Sequence, residues 1–113
     1  MRDFFSPQDL GLLLVKQLQS NAQGGTRLFN VGGGVRSALS LKEFNAFCAE
    51  QFGIQKEIVA NNSPRPFDIP YYVTDYSLAA KQWGWEPKTD KFDLLNQVYD
   101  WGLSHKQLIA SWF

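Results

Sequence analysis

Three consecutive glycines, Gly32-Gly33-Gly34, stand between the short run Arg27-Leu28-Phe29-Asn30-Val31 and the sequence Ser40-Leu41-Lys42-Glu43. A glycine run leaves the backbone angles unrestricted and stops a regular element. The run before it reads as a short strand. Beyond the glycines comes a helix start, because Ser40 and Glu43 have the capping-box spacing in which each side chain satisfies an exposed amide of the other. The chain is therefore committed to a strand, a sharp turn and a helix. Leu41, Phe44, Phe47, Cys48 and Phe52 are the expected buried face of that helix, and Gly53 ends it.

The same punctuation recurs elsewhere. Ser6 can cap a helix whose first position suits Pro7 and whose positive dipole end favours Asp9. Leu10, Leu13, Leu14 and Leu18 repeat there at helical spacing, a stripe that needs a partner surface. Asn21 to Thr26, with Gly24 and Gly25, ends that helix. Glu57 to Ala60 reads as a brief strand, and Asn61 to Pro66 as a loop, since neither Pro64 nor Pro66 can donate to a ladder. Tyr71-Tyr72-Val73 is a further short strand. Asp75 can cap a helix from Tyr76 to Trp83, Gly84 suits its left-handed end, and a last helix begins near Lys91 with Leu95, Val98, Tyr99 and Gly102 on its packed face. The tail Leu108, Ile109, Trp112, Phe113 is apolar for a terminus. About four helices among a few short strands predict an α/β chain, one unit over residues 1–113, whose sheet is incomplete.

Composition narrows the function classes. Eleven basic residues balance eleven acidic ones, and no run of like charge would attract a nucleic-acid backbone. Cys48 is the single cysteine, so a disulfide framework cannot form within the chain, and a reducing cytoplasm is the expected compartment. The apolar run Leu12 to Val15 is far shorter than the roughly twenty residues of a membrane span, and no signal-peptide layout opens the sequence. The expected protein neither binds nucleic acid nor enters a membrane.

Most candidate chemistry has a plainer competitor. The glycine run lacks the dinucleotide spacing, since Ser37 stands where the last glycine should be, and no Gly-Lys-Ser/Thr comes after it, so a tight turn is the expectation. His105 is the only histidine and suits a helix C-terminus. It is too far from Cys48 in sequence for metal-ligand spacing. Trp83, Trp85, Trp101 and Trp112 can stack on sugars or bases, but large aromatics more often pack a core. No nucleophile, base and orienting partner can be nominated together for a hydrolase. Arg2 and Arg65 stand out. Guanidinium groups bind phosphate oxygens bidentately, and two of them converging from separate loops would suit a diphosphate, whereas ordinary surface arginines pair with acids such as Asp3 and Asp68.

Several motifs occur in a telling order. They are Arg2-Asp3-Phe4-Phe5 with Asp9 and its leucine-rich helix, Phe29-Asn30-Val31 with the glycines, and Ser40-Leu41 with Glu43. Arg65-Pro66-Phe67-Asp68 comes next, then Thr74-Asp75, Ala79-Ala80 and Trp83-Gly84-Trp85 with Pro87. Together they resemble the C-terminal third of extended short-chain dehydrogenases/reductases, the NAD-dependent nucleotide-sugar epimerases and dehydratases, over nearly the whole chain. Within that family, Ser37 to Leu41 and Val98 to Trp101 are most similar to the CDP-paratose (CDP-tyvelose) 2-epimerase group.

The resemblance implies four substrate-binding residues. Arg2 and Arg65 would contact the diphosphate, Phe4 would lie near the substrate, and Asp68 would hold the nucleotide end or orient Arg65. Phe67 stands where the family often has glycine. It also implies what this chain lacks. The family's glycine-rich NAD loop and its Tyr-x-x-x-Lys pair do not occur, because Asp75, Tyr76, Ala80 and Leu103 succeed the four tyrosines at that spacing. The expected protein is thus a substrate-binding C-terminal portion, inactive alone, with NAD belonging to the full-length family and no catalytic, cofactor-binding or metal-binding residue of its own. Its expected partners are a nucleotide-diphosphate sugar and either an N-terminal NAD-binding part or a second copy, covering Leu10, Leu13, Leu14, Phe29 and the tail. The competing reading is a stand-alone, non-catalytic binding or interaction module that buries those residues itself.

Overall fold

The computed structural model describes residues 1–20, 28–53, 56–59, 61, 63 and 66–112. Within them the chain forms β1 (Arg2–Asp3), α1 (Pro7–Gln19), one 3-10 turn (Val35–Ser37), β2 (Ala38–Leu39), α2 (Leu41–Phe52), α3 (Ser77–Trp83), α4 (Lys91–Ser104) and α5 (Lys106–Ala110). β1 and β2 make a two-stranded antiparallel sheet, with Arg2 opposite Leu39 and Asp3 opposite Ala38. On the other side of β1 a single parallel bridge joins Arg2 to Tyr72, and the Tyr72 amide donates to the Met1 carbonyl at 3.1 Å. The described residues are therefore mixed helix and strand, with helix dominant.

Local signals set the helix ends. Ser6 Oγ accepts the Gln8 amide at 3.1 Å ahead of Pro7. Ser40 and Glu43 form the complete capping box: Ser40 Oγ accepts the Glu43 amide at 3.2 Å, and Glu43 Oε2 accepts the Ser40 amide at 2.8 Å. Gly53 and Gly84 close α2 and α3 in the left-handed region, at φ 64° and 56°, where a side chain is strained. Asp75 Oδ1 accepts the Ser77 amide at 2.9 Å, and α3 begins one residue later than the sequence implies. Lys16 Nζ reaches across from α1 to the Gly84 carbonyl at 2.9 Å, satisfying the end of α3.

One core holds α1, α3 and the segment after it. Leu13, Ala79 and Trp85 are buried, with Phe5, Phe29, Val31, Tyr76 and Trp83 packed around them. Asp9 is 2% exposed. The sequence places it at the helix dipole, but its main task is to tie α1 to the chain beyond α3. Its Oδ2 accepts the Thr89 amide at 3.0 Å, and its carbonyl accepts Trp85 Nε1 at 3.0 Å. A second contact zone joins α2 to α4 through aromatic rings, with Phe47 stacked on Phe92 at 5.0 Å and Phe52 on Tyr99 at 3.7 Å.

Several expectations are corrected. Residues 28–31 and 57–59 are not strands, and Tyr71 to Val73 contributes only the Tyr72 bridge. A strand exists only against a hydrogen-bonded partner, and beyond that bridge no described segment pairs with these runs. The expected buried face of α2 is half-buried at Phe44, Phe47, Cys48 and Phe52 and exposed at Leu41. The last helix is two helices: His105 leaves helical geometry at φ −117°, and Ser104 Oγ donates back to the Asp100 and Trp101 carbonyls where α4 ends. His105 does sit at a helix C-terminus, its ring stacked 4.5 Å from Trp101. Trp101 and Trp112 are exposed rather than packed into a core. Asn21 to Thr26, Arg27, Ala60, Pro64, Arg65 and Phe113 lie outside the described residues.

The chain is open for its mass. It exposes 9172 Å² of surface, against about 6,300 Å² for a folded monomer of this size. Its radius of gyration is 17.5 Å, where a compact domain of this length has about 13 Å. No described helix is long and apolar enough to cross a membrane.

Candidate functional site

β1 divides its side chains between two jobs, as alternation along a strand requires. Asp3 turns toward the glycine run, where its Oδ2 accepts the Gly34 amide at 3.0 Å. Arg2 turns the other way, into a cleft of about 390 Å³ whose lining includes Phe4, Ser40, Phe44, Asp68 and Ile69. The Arg2 guanidinium donates from Nη1 to the Met1 carbonyl at 2.8 Å, and its Nη2 lies 3.6 Å from Asp68 Oδ1. Both side chains are about half exposed, so this pair contributes little to stability, on the order of 0–1 kcal/mol. The remaining guanidinium donors have no partner among the described residues, and a cleft of this volume falls in the range that small molecules occupy.

Phe4 is held by its backbone, its amide donating to the Ser37 carbonyl at 3.0 Å, and its ring meets Phe44 of α2 at 6.3 Å. The apolar wall of the cleft is thus built from the end of β1 and the first turns of α2. Ser40 at the rim belongs to the capping box, where its amide and hydroxyl hold the Glu43 carboxyl below the usual range, helped by the Lys91 charge. Lys91 Nζ also donates to the Ala38 carbonyl at 3.1 Å, which fastens α4 behind β2.

The loop that delivers Asp68 contains an unusual backbone. Phe67 adopts φ 65°, the only non-glycine residue with positive φ among the described residues, and its side chain is fully exposed. The position therefore keeps the conformation that glycine adopts without strain, although the side chain there is phenylalanine. Phe67→Gly is expected to raise stability by about 1 kcal/mol or leave it unchanged where unfolded-state entropy offsets the gain. Urea titration followed by circular dichroism checks this; a loss of stability beyond about 1 kcal/mol would show that the Phe67 ring makes a contact that matters.

The glycine run offers no phosphate cradle. A Cβ on Gly33 would overlap the Phe4 carbonyl oxygen, and one on Gly32 would strike Thr74 and the Asp3 carboxylate. The run lets three backbone segments cross closely, and the Gly34 amide is already committed to Asp3. Among the described residues no group of three metal-ligating side chains occurs.

Three of the four residues nominated from sequence, Arg2, Phe4 and Asp68, therefore meet at one cleft; Arg65 lies outside the described residues. Sequence reasoning missed Phe44 and Ile69. The capping box held the usable signal, since a helix starting at the rim must present its first turn to the cleft.

No protein-family model, curated protein or solved structure matches this chain. The functional reading thus stands on the cleft and on the order of motifs that meet there.

Proposed function

We propose that this chain is the substrate-binding C-terminal portion of an NAD-dependent nucleotide-sugar epimerase or dehydratase, of the CDP-paratose 2-epimerase kind, and binds a nucleotide-diphosphate sugar in the Arg2 cleft. The observation that carries the reading is convergence. Arg2 and Phe4 open the sequence and Asp68 comes more than sixty residues later, yet all three line one cleft. The left-handed backbone at Phe67, where the family often has glycine, supports it as well.

Arg2 is assigned to the diphosphate, sharing it with Arg65. Phe4 and Phe44 form an apolar wall for the non-ionic part of the ligand, and Asp68 steadies Arg2 from the side. NAD is assigned to the rest of the enzyme rather than to the glycine run, where neighbouring segments already approach closely. The competing reading of a self-sufficient module draws support from Leu13 and Phe29, which pack inside the chain; Leu10, Leu14, Leu108 and Trp112 do not.

Calorimetric titration of the purified chain with CDP- and UDP-sugars tests the proposal. Arg2→Ala is expected to weaken binding by about tenfold to a hundredfold, the worth of a hydrogen bond to a charged group. Arg65→Ala is expected to act in the same direction, and no turnover is expected from the chain alone. Equal affinity in wild type and Arg2→Ala would remove Arg2 from the site, and epimerisation by the chain alone would overturn the division of labour.

A further inference from the structure

We propose that the ring of Phe67 is the platform on which the nucleotide base of the ligand stacks at the mouth of the Arg2 cleft, an assignment that rests on the nucleotide-sugar reading above. Phe67 is the one non-glycine residue in the left-handed region among the described residues, at φ 65°. That conformation is unfavourable for a phenylalanine, and leaving the ring in water forgoes its apolar burial as well. A fully exposed ring recovers neither within the chain. Backbone strain of this kind clusters at ligand clamps and active sites.

The place of Phe67 in the chain says which ligand it serves. Asp68 and Ile69, the next two residues, both line the Arg2 cleft, and Asp68 Oδ1 lies 3.6 Å from the Arg2 guanidinium. Phe67 thus stands one residue outside the cleft, beside the group assigned to the diphosphate. The cleft is also small for the ligand proposed. Its volume of about 390 Å³ is near the lower end for small-molecule sites, whereas a nucleotide-diphosphate sugar carries a sugar and a nucleoside on opposite ends of the diphosphate.

With the diphosphate at Arg2 and one end against Phe4 and Phe44, the other end is left to the rim where Asp68 and Phe67 stand. The base is the end with a π-face. Stacking asks for no directional hydrogen bond, which a phenyl ring cannot supply, and it is tolerant of base identity. Phe67 therefore adds affinity for the nucleoside without selecting cytosine over uracil.

Calorimetric titration of the full chain with CDP- and UDP-sugars tests this. Phe67→Gly is expected to bind both about tenfold more weakly, while unfolding at no lower urea concentration than wild type. Phe67→Leu, apolar but without a π-face, is expected to lose affinity as the glycine variant does, and Phe67→Tyr to keep it. A glycosyl diphosphate lacking the nucleoside is expected to bind wild type and Phe67→Gly equally. If Phe67→Gly binds CDP-sugars as wild type does while Arg2→Ala binds them more weakly, the platform is overturned and the cleft reading stands. A wild-type chain that binds neither CDP- nor UDP-sugar overturns both. An equal loss with the nucleoside-free ligand, or wild-type affinity in Phe67→Leu, overturns stacking on the base.

Discussion

Replacing Trp85 with alanine is expected to leave the chain without a cooperative unfolding transition. Trp85 is 2% exposed and is the largest member of the cluster it forms with Leu13 and Ala79. Its ring meets Phe5 edge-on at 6.0 Å and Tyr76 at 5.9 Å, and its Nε1 donates to the Asp9 carbonyl at 3.0 Å. Truncation removes all of these contacts together. Large-to-small changes of this kind cost about 3–5 kcal/mol, and a chain of this length has roughly 6–17 kcal/mol of stability if it is as compact as ordinary domains. At the lower end of that range the loss takes most of the stability.

Trp85→Phe separates packing from the hydrogen bond. It keeps most of the apolar area but removes the donor to Asp9 and one ring of the indole, for an expected loss of about 1–3 kcal/mol. Urea titrations followed by far-UV circular dichroism measure both. A Trp85→Ala variant that unfolds cooperatively within about 1 kcal/mol of wild type would show that the stability resides elsewhere, in the α2 and α4 aromatic contacts.

The parts of this fold legible in the sequence were those fixed by neighbours along the chain. The Ser40–Glu43 box, the Ser6 cap with Pro7, and the left-handed ends at Gly53 and Gly84 each depend on a few consecutive residues, and each is found where the sequence places it. Strands were not legible, because a strand is defined by a partner that sequence does not name. Residues 28–31 look more strand-like than Arg2–Asp3, yet Arg2–Asp3 has neighbours on both sides and residues 28–31 do not. The role of Asp9 was hidden for a related reason. A carboxylate in a first helical turn reads as a dipole partner, and only the return of the chain at Thr89 turns it into a buried tether. At the cleft, Arg2, Phe4 and Asp68 were nominated by motif order, whereas Phe44 depended on how α2 docks beside β1.

Gly33→Ala is the change expected to damage fold and cleft together. The added Cβ would overlap the Phe4 carbonyl oxygen and stand 3.0 Å from the Phe4 carbonyl carbon and 2.6 Å from Ser37 Cβ. Overpacking against movable side chains costs about 1–3 kcal/mol; here the obstacle is backbone, held by the bond from the Phe4 amide to the Ser37 carbonyl. The strand end must move or that bond must break. Either response displaces Phe4 from the cleft wall and disturbs Arg2, which sits two residues earlier in β1. The variant is therefore expected to lose at least about 3 kcal/mol of stability and to bind nucleotide-diphosphate sugars more weakly than wild type under conditions where it remains folded. Gly53→Ala is the control, because a Cβ there meets nothing within 4 Å and only the positive φ is strained. It should lose about 1 kcal/mol and keep its affinity. Thermal denaturation combined with calorimetric titration distinguishes the two. If Gly33→Ala lost stability but bound ligand as wild type does, Phe4 and Arg2 would not depend on the glycine crossing, and the cleft would be built from α2 and the Asp68 loop without it.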